Sequence, residues 1–185
     1  MNVKIIIPES LDDITVGQFQ QIEYLLKKED LREVELDDEI LKVILNFDKV
    51  DAISVKDRNR LILDIRKALE SEGTFKQTFE LNGIDFGLIP NFDKITNGEY
   101  TDLIKYANDI EDLHRFLAVA YRPIKVRDTF GNYKLVSYDG TSEHGERMKD
   151  LPMSIAKGVQ GFFLTLSNHL ENHSPKFMLG ELRRE

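Results

Sequence analysis

Apolar residues in this chain recur mostly at helical spacing. At Ile14-Thr15-Val16-Gly17-Gln18-Phe19 the order marks a helix start. Thr15 can accept from the Gln18 amide while the Gln18 side chain reaches back, and Ile14 stands where a hydrophobic staple onto Phe19 belongs. The helix predicted here runs to Lys28, with Phe19, Ile22, Leu25 and Leu26 on one apolar face. Leu41, Ile44, Leu45 and Phe47 mark a second helix. Ser54 and Asp57 open a third, in which Leu61, Ile62, Ile65 and Leu69 are apolar and Gly73 is placed to end it.

Strand signals lie between these helices. Val3 to Ile7 is a β-branched run that should close at Pro8, which cannot donate to a sheet ladder. Phe75 to Leu81, Asn82-Gly83 and Ile84 to Ile89 predict a β-hairpin, because Asn-Gly accepts the positive φ angles of a type I′ turn. Beyond Arg122-Pro123, the runs Ile124 to Arg127 and Tyr133 to Tyr138, joined through Asp128 to Asn132, predict a second hairpin with a longer turn. Asp139 to Asp150 is polar and holds a short helix at most. Ser154 is placed to cap a long helix to Asn172, with Ile155, Val159, Phe162, Phe163, Leu166 and Leu170 apolar. Ala156, Gly158 and Gly161 give that helix a small-residue face suited to close helix contact. The fold predicted is mainly α within the α+β class: about six helices and two β-hairpins in one compact domain over residues 1–173. Residues 174–185 read as a C-terminal tail.

Ile95-Thr96-Asn97-Gly98-Glu99-Tyr100 repeats the devices of the first helix start. Thr96 caps, Glu99 reaches back, and Ile95 stands to staple onto Tyr100. Ile7-Pro8 and Ile89-Pro90 each end a strand signal just upstream, and Leu41 to Leu45 and Leu117 to Tyr121 each supply an apolar second helix. This order permits a degenerate internal repeat of strand, proline and two helices, over residues 3–47 and 85–121. Two independently arisen capping boxes would give the same text. Gly17 and Gly98 each lower helix propensity by about 1 kcal/mol, which is easier to understand where a neighbouring backbone packs closely.

Composition narrows the function. Of 185 residues 41% are hydrophobic, and with the 11 glycines the apolar set is about 47%, in the globular range, which excludes disorder and collagen. There is no cysteine, and so no disulfide, thiolate zinc site or thiol nucleophile. The net charge of −8 disfavours a protein that tracks phosphates. Residues 9–39 hold 11 Asp plus Glu against 3 Lys plus Arg and carry that whole charge, so the rest is balanced. The opening apolar run is too short for a signal-peptide core, and no run approaches a membrane span, so the expectation is a protein of the cytosol or of a particle assembled there.

Candidate chemistry is sparse. His169 and His173 share a helix face with Glu171 between them. A zincin helix instead puts glutamate directly after the first histidine, where Leu170 stands, and no third ligand is evident. His114, between Asp112 and Arg115, has no nucleophile-elbow serine to serve. Anion binding at the two capped helix starts competes with threonine oxygens already there. Phe130, Tyr133, Tyr138 and Arg127 combine aromatics with charge on a hairpin, as some nucleic-acid platforms do, but cross-strand pairing explains the tyrosines as well. Neither catalytic residues nor a cofactor or metal is assigned.

Ile89-Pro90-Asn91, Ile95 to Leu103 and Leu113 to Ile124 resemble the text of proteins encoded in the structural gene clusters of tailed bacteriophages. The stretch Met148 to Phe163, with Leu151-Pro152-Met153 leading into Gly158 and Phe162-Phe163, is similar to the ending of the same proteins. The likeness is to the crAss-like group of short-tailed phages that infect gut Bacteroides. The resemblance implies a non-enzymatic virion protein assembled in the bacterial cytoplasm, a head-to-tail connector or tail ring component. Such a protein would self-associate and contact portal, tail or other ring proteins, without a membrane and without specific nucleic-acid binding. The alternative it leaves is a tail assembly chaperone absent from the finished particle. Two surfaces are candidates for these contacts: Glu33, Glu35, Asp37 and Asp38 in the acidic segment, and Phe162 with Phe163. The acidic segment is read as a solvated face by default. In a connector it would line a DNA channel or meet a basic patch on a neighbour.

Overall fold

The computed structural model describes residues 7–107, 109–141 and 144–173, with side chains through residue 163 except at position 93. In chain order the elements are α1 (Val16–Leu26), α2 (Glu33–Leu45), α3 (Val55–Glu70), β1 (Thr78–Leu81), β2 (Ile84–Leu88), α4 (Asn97–Ala107), α5 (Leu113–Ala120), β3 (Tyr121–Arg127), β4 (Tyr133–Leu135) and α6 (Met153–His173). The mainly helical α+β class expected from the sequence is the class observed. The strand expected over Val3 to Ile7 lies outside the described residues except for Ile7, which is not in a strand, and the tail 174–185 lies outside them entirely.

Local chemistry explains most element ends. At α1 the Thr15 amide donates to Gln18 Oε1 at 3.0 Å and the Gln18 amide donates to Thr15 Oγ1 at 3.2 Å. The same Gln18 side chain donates to the carbonyls of Val43 and Ile44, both at 3.2 Å, so it also satisfies the last turn of α2. Thr96 and Glu99 form the matching box at α4, at 2.6 and 3.2 Å. Ser54 caps α3 through the Asp57 amide at 3.1 Å. Asn82 and Gly83 take φ of 51° and 76°, as the type I′ reading requires.

The two hairpins are fused. Phe86, Gly87 and Leu88 of β2 pair antiparallel with Pro123, Arg122 and Tyr121 of β3, giving one sheet in the order β1-β2-β3-β4. The α4–α5 pair carries the chain from β2 back to β3, and β3 starts without a loop: the Tyr121 amide still donates to the Leu117 carbonyl of α5. One apolar cluster joins buried residues of α1, α2, α3, α5 and early α6 to Phe86 and Tyr121 of the sheet.

Several expectations are corrected. Leu26 is 54% exposed, and Gln20 occupies the buried face of α1 in its stead. The acidic stretch read as a solvated face is, from Glu33 onward, the first part of α2, and it is not solvated throughout, since Asp37 is buried. Helix α3 ends at Glu70, before Gly73. Gly73 instead lets the chain cross α6 in direct backbone contact: a Cβ there would collide with the Gly158 amide, and one on Gly158 would collide with Thr74. The small face of α6 therefore meets a loop at Gly158, and a Cβ on Gly161 would find no heavy atom within 4 Å among the described residues. Ser154 is not a cap. It lies inside α6, whose first amides, those of Met153 and Ser154, donate to the carbonyls of Ile14 and Leu11 at 2.7 and 3.1 Å, and its hydroxyl donates to the Asp12 carboxylate. Of the two paired glycines, Gly17 does pack closely, since a Cβ would sit 3.2 Å from Lys149, whereas around Gly98 the nearest atoms are 4.0 Å away.

Candidate functional site

The four acidic residues singled out on α2 do not form a free face. Asp37 accepts from Arg66 of α3 at 3.0 Å and stands 3.8 Å from Arg58, and Asp38 accepts from Arg58 Nε at 2.5 Å. Arg58 also donates to the Val34 carbonyl at 2.8 Å. These two aspartates bind α2 to α3. Glu35 pairs with Arg32 at 2.5 Å, a contact that holds its carboxyl below the usual carboxylate range. Glu33 reaches only the edge of Arg66, at 3.9 Å. Thus Asp37 and Asp38 are held to α3, whereas Glu33 and Glu35 stand on the outer side of α2, Glu35 paired with the exposed Arg32.

Phe162 and Phe163 lie on α6, in a different part of the fold. Both are partly buried in a group of five aromatic rings. Phe162 stacks on Phe75 with centroids 4.8 Å apart, and Phe163 meets Phe92 at 5.0 Å and Phe116 at 5.3 Å, edge to face. Most of this pair's surface thus packs the fold, and the outer edge of the group is Phe75, 45% exposed.

A cleft of about 490 Å³ opens between the start of α4 and strands β3 and β4. Its floor holds an ion pair in which Arg122 donates to Glu99 Oε1 at 2.7 Å, with side chains only 14% and 5% exposed. The other oxygen of Glu99 is taken by the Thr96 amide, so the carboxylate is neutralised and positioned at once. Tyr138 donates to Asp102 at 2.5 Å and Tyr133 donates to the Leu88 carbonyl at 2.7 Å. Burial raises both phenols above their usual pKa, Tyr138 further through its bond to Asp102. The hairpin tyrosines are therefore tied inward, leaving Phe130 and Arg127 of the aromatic-basic group exposed.

His114 borders a second hollow, of about 460 Å³, lined also by Asp102, Tyr106, Arg115 and Glu146. Gln20 Nε2 lies 2.7 Å from the Ile110 carbonyl, 2.8 Å from that of Glu111 and 3.0 Å from His114 Nδ1. An amide nitrogen donates only, so Nδ1 is the acceptor and the ring proton sits on Nε2. Burial holds the imidazole below its usual pKa, and Glu146, 3.6 Å from Nε2, is beyond hydrogen-bond reach. Neither ring nitrogen is a free base. Sequence reasoning missed Gln20, whose only signal was an amide four residues after Val16 on the apolar face. It also missed the Glu99–Arg122 pair, whose two residues lie far apart in the chain with no local signal linking them.

Among the described residues no three His, Cys, Asp or Glu side chains gather as metal ligands, and no helix is long and apolar enough to cross a membrane. His169 and His173 fall within α6, and their side chains lie outside the described residues. No family model matches the chain, nor does any curated protein or solved structure.

Proposed function

We propose that the protein is a non-enzymatic component of a phage virion, a head-to-tail connector or tail ring subunit working through contacts between subunits. The observation that carries this reading is the resemblance of Ile89 to Asn91, Ile95 to Leu103, Leu113 to Ile124 and Met148 to Phe163 to phage structural proteins. The geometry is in keeping with it. The side chains best suited to chemistry are bound to one another: His114 to Gln20, Glu99 to Arg122, Asp102 to Tyr138. Large apolar side chains meanwhile stand in solvent, Phe130 above all at 90% exposure. An exposed aromatic on a hairpin tip suits a contact made only after folding.

Mass spectrometry of purified virions is the test. Many copies per particle are expected. Copies in assembling extracts but none in the finished particle would replace this reading with the assembly chaperone, and absence from both would remove the phage reading.

A further inference from the structure

The cleft between the start of α4 and strands β3 and β4 has one wall pinned at both ends. Tyr133 lies over Gly87, where a Cβ would come within 2.6 Å of its ring, and its hydroxyl donates to the Leu88 carbonyl. Tyr138 is held by Asp102 of α4, with the Arg122 guanidinium 5.9 Å from the centre of its ring. Lys134 to Ser137, between these two anchored tyrosines, line the cleft opposite Ile89 to Asn91 and Lys94 to Thr96. A wall already fixed by its own contacts loses little conformational freedom when something binds along it.

The lining combines apolar surface with positive charge. Ile89, Ile95, Leu135 and Val136 are apolar, and among the described lining residues Lys94, Arg122 and Lys134 stand against one acid, Glu99. Glu99 is already engaged: one oxygen lies 2.7 Å from Arg122 and the other accepts from the Thr96 amide at 2.6 Å. Lys94 and Lys134 are exposed and make no ion pair among the described residues. Asp102 borders the other hollow, beside His114. Counting Asp93, whose side chain lies outside the described residues, as a further full negative charge still leaves three cations against two anions. The same wall offers backbone. β4 is the last strand of its sheet, and the Val136 amide turns inward to the Pro123 carbonyl at 2.9 Å, so the amide and carbonyl of Leu135 point away from β3. A nucleic acid would find two free cations on a largely apolar wall, in a protein of net charge −8. Carboxylates carried on an extended apolar peptide match the apolar surface, the lysines and the open strand together.

We propose that this cleft binds an extended segment of a partner protein in which apolar and acidic side chains alternate, with its backbone along Leu135 and its carboxylates at Lys94 and Lys134. Alternation follows from the strand period, which sends successive side chains to opposite sides: apolar ones toward Ile89, Ile95 and Val136, acidic ones toward the lysines. The volume of about 490 Å³ suits a few residues of such a segment. This docking goes beyond the virion reading and does not depend on it.

The probe is the capped peptide acetyl-Leu-Glu-Leu-Glu-Leu-amide, titrated into the isotope-labelled full chain and followed by amide resonances in NMR. Shifts at Thr96 and at Leu135 to Ser137 are expected, with binding that weakens as salt is raised. The same peptide with glutamine in place of glutamate should bind about tenfold more weakly. Lys94→Gln with Lys134→Gln should weaken the glutamate peptide by about the same factor. Both lysines are exposed, so the circular dichroism melt of that double variant should match the native chain, and a matching melt makes its binding loss a loss of contact. Equal binding of the two peptides, full binding by the double variant, shifts confined to other parts of the fold, or no binding up to about 1 mM each overturns the docking. Hexanoate is the small-acid control. If it shifts the same amides as tightly as the peptide does, the cleft belongs to a free organic acid and the peptide docking falls.

Discussion

Gln20 of α1 stands 3.0 Å from His114 of α5 and, through the same nitrogen, binds the carbonyls of Ile110 and Glu111 that lead into that helix. One buried amide thus fixes both the approach of α1 to α5 and the protonation state of the imidazole. A protonated ring would point an N–H at a nitrogen that can only donate.

This predicts a pH dependence with a defined sign. The folded pKa of His114 lies below 6.5, so the unfolded chain takes up the proton first as pH falls. The contribution is fully present above pH 6.5 and is lost as pH drops toward the folded pKa. Denaturant titrations of the native chain and of His114→Leu across that interval should show the stability difference shrinking toward acid. Parallel pH profiles would show that the ring is not held neutral. Lys149 and Arg115 also disfavour the cation while Glu146 and Asp112 favour it, so Glu146→Gln should lower the pKa further, readable in the imidazole resonances by NMR.

The buried pair of Glu99 and Arg122 should respond asymmetrically. Arg122→Met leaves a carboxylate without its cation at a site 5% exposed, and a loss of about 3–5 kcal/mol is expected. Adding Glu99→Gln removes that stranded charge while keeping an amide oxygen for the Thr96 cap. The double variant should therefore be more stable than Arg122→Met alone in urea unfolding. Additive losses would mean that the two charges do not depend on each other.

Two glycines of α6 should behave oppositely. Gly158→Ala drives a methyl into the backbone at Thr74 and should lower stability by about 1–3 kcal/mol or more. Gly161→Ala meets no heavy atom within 4 Å among the described residues and gains helix propensity, for a rise of up to about 1 kcal/mol. Thermal melts of the two variants separate these effects, and equal shifts would contradict the close crossing of the loop over Gly158.

Neutralising the acidic segment should divide by residue. Asp37→Asn with Asp38→Asn removes the carboxylates that hold Arg66 and Arg58, and a loss of about 1.5–3 kcal/mol is expected. Glu33→Gln with Glu35→Gln, on the outer side of α2, should stay within about 0.5 kcal/mol. Only the glutamate pair therefore reports cleanly on assembly, since the aspartate pair disturbs the fold itself. Chemical denaturation of both double variants checks the division.

What the sequence determined by itself is whatever depends on neighbours three or four residues apart. The boxes at Thr15–Gln18 and Thr96–Glu99, the cap at Ser54 and the Asn82-Gly83 turn were all legible, because each is closed by atoms the chain places together in any context. Ser154 carried the same local signal and was misread, since the carbonyls of Leu11 and Ile14 satisfy that helix start from far along the chain. The tertiary structure alone decided the rest. It turned Asp37 and Asp38 from a solvated face into partners of Arg66 and Arg58, joined two hairpins into one sheet, and placed Gly73 against Gly158. No periodicity encodes these pairings: a carboxylate has the same local text whether an arginine faces it or water does, and only the packing of α2 on α3 brings the arginine there.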